Sequence, residues 1–117
     1  MRKDNLVYIK HILESIAAIE EFSKEMDRKE LSSSRLKQSA IVREIEIIGE
    51  AVKNVSDGIK NKNKNVEWKA IAGTRDKMIH HYFGVDLDIV FSIVKKEIPI
   101  LKKQMLKIEK DLESSRN

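Results

Sequence analysis

The chain has 117 residues, of which 36% are charged and 5% aromatic, and carries a formal net charge of +4. That length supports one domain over 1–117 with a single core. The absence of cysteine excludes disulfides and thiolate metal centres, as expected of a cytoplasmic protein rather than a secreted, disulfide-stapled one. A single proline, few aromatics and a surplus of Ile, Leu, Glu and Lys favour packed helices over a sheet, so the predicted class is all-α.

At the N-terminus a basic pair precedes apolar residues that Lys10, His11 and Glu14 interrupt before any signal-like core can form. No run is long enough to span a bilayer. From Leu6 the apolar positions Ile9, Leu13, Ile16 and Ile19 keep the three-and-four spacing of one helix face, predicting a first helix that ends near Met26. Asp27 to Ser34 is polar and ends in three consecutive serines, any of which can cap the next helix. That second helix carries the heptad-like seam Ile41, Ile45, Ile48, Val52 and Val55 and is expected to pack antiparallel to the first. Gly49 lies inside it, at a propensity cost of about 1 kcal/mol. Either another backbone approaches closely there, or the glycine is tolerated on the surface.

Residues 58–66 alternate Lys and Asn without periodicity and read as a flexible linker, with Gly58 suited to a left-handed helix stop. Trp68, Ile71 and Ala72 begin a short helical piece, Gly73 interrupts it, and a segment from Arg75 to Tyr82 runs on to Gly84. Asp86 can cap the last helix, whose stripe comprises Leu87, Val90, Val94, Ile98, Leu101, Met105, Ile108 and Leu112. Pro99 lies within that stripe and predicts a kink rather than a break. The sum is a four- to five-helix bundle.

Arg75-Asp-Lys-Met-Ile-His80-His81-Tyr82 concentrates chemistry suited to a phosphodiester. Arginine holds phosphate through a planar fork of donors, histidine titrates near neutral pH, and tyrosine offers a hydroxyl for modification. On a continuous helix Arg75 and Tyr82 are nearly eclipsed, and Asp76 and His80 are i,i+4 neighbours. Arg75 and His80 then stand about 140° apart, so they meet only if Arg75 precedes the regular helix or a second chain completes the site. Lys69 and Lys77 are candidate RNA contacts within the local excess of lysine around the segment. On the second helix Arg43, Glu46 and Glu50 share a face. They could form ion pairs along the helix with Lys53, or provide a carboxylate that orients His80. No ligand spacing for a metal is completed, since His80 and His81 diverge and His11 is remote.

The pattern Arg75, four residues, His80, one residue, Tyr82 resembles the R-x4-H-x-Y signature of HepT-like ribonuclease toxins, a HEPN-domain family. The resemblance extends to Arg43-Glu-Ile-Glu-Ile-Ile-Gly-Glu-Ala51, to Trp68-Lys-Ala-Ile-Ala-Gly73 leading into the motif, to Tyr82-Phe-Gly-Val-Asp86, and to Ile98-Pro-Ile-Leu101, so that nearly the whole chain is covered. It implies a HEPN-type helical bundle forming a two-fold homodimer, with the two motifs facing each other across a cleft, and metal-independent RNA cleavage without a cofactor. Arg75 and His80 would be catalytic and Asp76 supporting. The implied partner is an MntA-like nucleotidyltransferase antitoxin that transfers AMP to Tyr82. The chain differs from the usual pattern in having Thr74 for methionine, Asp76 for asparagine and His81 for glycine. Two rival readings stay open, a non-catalytic HEPN module that docks a nucleotidyltransferase and a purely structural helical dimer. Tyr82 as a core aromatic is the alternative at that position.

Overall fold

The computed structural model describes residues 4–80 and 84–115, with the His80 side chain outside the description. Helix α1 (Asn5–Phe22) starts where the Asp4 carboxylate accepts from the Leu6 amide. Its core face is Leu6, Ile9, Ile12, Ile16 and Ile19. Ile12 is fully buried, whereas Leu13 is only half-buried on the flank, so the stripe is centred one residue earlier than the spacing from Ile9 suggested. The helix also stops four residues short of Met26. Ser23 Oγ donates to the Ile19 carbonyl, the chain turns through Glu25 at a φ of 58°, and Met26 is buried beneath the turn.

The polar stretch that follows is a short helix, α2 (Arg28–Ser33), capped by Asp27 and held by buried Leu31. Ser34, the last of the three serines, caps α3 (Arg35–Asn54) by accepting from the Lys37 amide at 3.1 Å. All five predicted seam residues, Ile41 to Val55, are buried. Antiparallel packing of α1 and α3 follows from their ends. The Asn5 side chain both donates to Ser56 Oγ and accepts from the Ser56 amide, so the first residue of α1 meets the chain just beyond α3.

The first part of the expected linker is helical. Residues Asp57–Lys62 form α4, capped by Ser56, and Gly58 lies in its first turn rather than at a helix stop. The Lys/Asn alternation hides an anchor: Trp68 donates its indole N–H to the Asn63 carbonyl at 3.0 Å, and Val66 and Trp68 are both buried. Helices α5 (Trp68–Ala72) and α6 (Thr74–Met78) meet at Gly73.

The segment beyond α6 departs from the helical expectation. The chain becomes extended at β1 (Ile79–His80), which pairs antiparallel with β2 (Gly84–Val85) in the register Ile79 to Val85 and His80 to Gly84. Ile79 is β-branched and only moderately disposed to helix, and Gly84 adopts a φ of 75°, a left-handed conformation that glycine enters without steric cost. A two-residue ladder thus interrupts an otherwise helical architecture.

Asp86 caps α7 (Leu87–Ser92) as expected, its carboxylate accepting from the Ile89 amide. A π turn over Ile93–Glu97 joins α7 to α8 (Ile98–Ser115). Where a kink was expected at Pro99, the structure has this π turn just ahead of the proline, which lies in the first turn of α8. The Ile98 amide donates to the carbonyl of Ile93, five residues back, so the ladder has already widened one residue before the proline lacks a donor. The wide turn also keeps Val90, Val94 and Ile98 on one face, although two successive four-residue steps would drift by about 80° on a regular helix. Helix α8 runs antiparallel to α1, with Lys102 pairing to Glu20 and Lys10 to Glu109. Among the described residues no helix is long and apolar enough to cross a membrane.

Candidate active site

Where α5 hands over to α6, the chain lies against the middle of α3. The approach is close at Gly49, where a Cβ would sit 3.4 Å from the Ile71 carbonyl oxygen and 3.6 Å from that of Ala72. Those distances are ordinary contact, so alanine would also fit and anything larger would push α5 away. The other side of α6 is fixed by Met78, which is fully buried. Between these supports opens a cleft of about 380 Å³, with Glu46, Glu50 and Lys53 on the α3 wall and Arg75 and Asp76 on the α6 wall.

Arg75 lines this cleft as an exposed cation. Its Nε donates to Glu46 Oε2 at 2.8 Å across the gap between α6 and α3, while the Arg75 side chain remains 65% exposed. Lys53 pairs with Glu50 at 3.0 Å on the α3 wall, the ion pair along the helix that the sequence suggested. Among the described residues of the cleft three carboxylates therefore face two cations, so this lining is not basic. Lys69 and Lys77 are exposed on α5 and α6 but do not line the cleft.

Helix α6 ends at Met78, which removes the geometric basis for three sequence expectations. Asp76 and His80 are not i,i+4 neighbours on a helix, and neither the eclipse of Arg75 with Tyr82 nor the 140° separation from His80 applies. His80 enters as part of β1, with its backbone placed opposite Gly84. His81 and Tyr82, like the His80 side chain, lie outside the described residues and atoms. Sequence reading missed the role of Glu46 toward Arg75. The two are 29 residues apart, and the only signal was that Glu46 shares a face of α3 with Arg43 and Glu50. Among the described residues, no group of three or more His, Asp or Glu side chains could hold a metal ion.

A second concavity, of about 290 Å³, is apolar and lies beside the π turn, with Ile45, Ile71, Ile93 and Ile98 in its walls. Ile45 borders both concavities.

The family model described as Ribonuclease HepT-like matches residues 12–108, and the chain belongs to that family. It is 45% identical over its whole length to a Methanocaldococcus jannaschii protein named "Gamma-glutamylcyclotransferase and putative RNase", of which it spans only about half, 53%. It is 38% identical to the "Probable ribonuclease HepT" of Thermococcus cleftensis, with 94% of this chain and 100% of that protein covered. A "Putative RNase" of Caldanaerobacter subterraneus subsp. tengcongensis is 43% identical, with 86% of this chain and 90% of that protein covered. No solved structure matches the chain.

Proposed function

We propose that this chain is the toxin of a toxin-antitoxin pair, a metal-independent endoribonuclease that works as a two-fold homodimer and is silenced when an MntA-like nucleotidyltransferase adenylylates Tyr82. The observation that carries the reading is Arg75, an exposed guanidinium held at the mouth of a cleft, within the R-x4-H-x-Y pattern of a HepT-like chain. In this scheme His80 takes the proton from an RNA 2′-OH, that oxygen attacks the adjacent phosphorus, and the 5′-oxygen leaves with a proton returned by imidazolium. Arg75 stabilises the charge that builds on the phosphorane oxygens. The products are a 2′,3′-cyclic phosphate and a free 5′-hydroxyl. Asp76 supports the site from the α6 wall, and Lys69 and Lys77 steer the RNA backbone from outside the cleft. An adenylyl group on Tyr82 would add negative phosphate within the same R-x4-H-x-Y motif and so compete with the phosphate of the substrate.

Arg75→Ala and His80→Ala are each expected to abolish cleavage and toxicity with folding intact, while His81→Ala is milder and wild-type cleavage persists in EDTA. Co-expression with and without the nucleotidyltransferase, scored by growth and RNA integrity, checks the toxin role. Mass spectrometry after incubation with that partner, ATP and Mg²⁺ should find AMP on Tyr82 and none on Tyr82→Phe. Full activity of His80→Ala, or dependence on a divalent ion, would refute the mechanism. The excess of carboxylates over cations in the cleft favours one rival, a partner-docking module that binds the nucleotidyltransferase without cutting RNA. An intact RNA pool during overexpression would establish that rival instead.

A further inference from the structure

A guanidinium has five N–H donors in one plane, and how it is held decides which edge is left for a ligand. Among the described residues Arg75 spends only its Nε–H, on Glu46 Oε2 at 2.8 Å. The outer edge formed by the two terminal nitrogens remains, and that edge can grip a phosphate through two parallel bonds. The pair spans two elements, joining the five-residue helix α6 to the middle of the 20-residue helix α3. The long helix is the rigid partner and Glu46 is its more buried member, 35% exposed against 65% for Arg75. Asp76, the carboxylate next in sequence, lines the same cleft and makes no such bond. An ion pair this exposed adds little to stability, so its consequence lies in where it points the arginine.

We infer that Glu46 is a positioning residue for the ribonuclease reaction, fixing the Arg75 guanidinium from α3 so that its outer edge is presented to the reacting phosphate. The inference rests on the ribonuclease reading and adds a residue to it. Glu46 touches Arg75 and not the substrate, so it acts on the chemical step through geometry. The free rotation of an arginine side chain is removed before RNA arrives, and a misplaced stabilising group can cost about 100-fold in rate.

The test uses the full chain, a labelled single-stranded RNA oligonucleotide of mixed sequence, and the variants Glu46→Ala, Glu46→Gln, Arg75→Lys, Arg75→Ala and Glu46→Ala/Arg75→Lys. Glu46→Ala is expected to lower kcat by about 10- to 100-fold with little change in KM. Glu46→Gln, whose amide oxygen can still accept from Nε, should retain most of the wild-type kcat. In the Arg75→Lys background, Glu46→Ala should cause no further loss, because lysine has no Nε–H to hold. A slowly exchanging Arg75 Nε–H resonance, assigned by its absence in Arg75→Lys, should be present in wild type and Glu46→Gln and lost in Glu46→Ala. Glu46→Ala with wild-type kcat overturns the inference, as does a rise in activity, which would make the pair an inhibitory latch. Glu46→Gln falling as far as Glu46→Ala also overturns it, since charge and not geometry would then matter. A wild-type chain that leaves RNA intact, or Arg75→Ala as active as wild type, overturns the ribonuclease reading itself and this inference with it.

Discussion

Single side chains divide sharply between those whose neighbours are near in sequence and those whose partners come from afar. Ile12 and Leu13 are adjacent apolar residues in α1, and only the first is fully buried. Ile12→Ala should therefore destabilise the fold by about 2–5 kcal/mol, as expected for a large-to-small change in a closed core. Leu13→Ala should cost clearly less, and urea midpoints at constant m-value compare the two directly. If Leu13→Ala were the more damaging, the placement of the α1 face would be wrong. The three-and-four rule left both positions open, since Ile9 to Ile12 and Ile9 to Leu13 are equally good steps on a helix. Packing against α3 and α8 decided between them. The sequence singled out Arg75 because the motif that contains it is local. Its bond to Glu46 was not legible, because nothing in the spacing of α3 says which residue of a later segment will lie across from it.

At the scale of elements, periodicity located the long helices and their caps well, with Ser34 and Asp86 capping as their chemistry suggests. It failed where tertiary contacts override local preference. The Lys/Asn stretch became α4 because Val66 and Trp68 bury themselves just beyond it. The motif segment left the helix at Met78 because a hairpin ladder closes there, with the Asp86 amide also donating to the Met78 carbonyl at 2.7 Å. Gly84 carries that hairpin at a φ of 75°. Gly84→Ala should cost about 1–2 kcal/mol, the penalty of a left-handed conformation for a residue with a Cβ. Among the described residues nothing lies within 4 Å of that added Cβ, so the loss comes from the residue's own backbone conformation and not from a clash with a neighbouring element. Because the ladder places the His80 backbone, the same variant should lose more RNA cleavage than an equally destabilising core change such as Ile98→Val. Thermal melting alongside cleavage rates makes that comparison, and equal activity in the two variants would remove the hairpin from the site's architecture.

For the whole molecule the question is whether one chain holds a complete site. Within a protomer the cleft has Arg75 paired to Glu46 and a surplus of carboxylates, and the lysines thought to attract RNA stand outside it. Under the proposed function a second copy would bring another Arg75 and His80 without any new sequence feature. A closed two-fold arrangement is the commonest way for identical chains to supply them. The proposed homodimer therefore predicts complementation. Arg75→Ala and His80→Ala chains, each inactive alone, are unfolded together, refolded and assayed. If the arginine of one protomer serves the histidine of its partner, each mixed dimer contains one intact pair. Random pairing then makes half the dimers mixed, so activity should return to about a quarter of the wild-type level. If both groups act within one chain, every site in every dimer lacks one of them and the mixture stays inactive. Mixing without refolding controls for subunit exchange, and sedimentation at the assay concentration establishes that dimers are present. A dimeric mixture that remains inactive would place Arg75 and His80 of one site in the same chain.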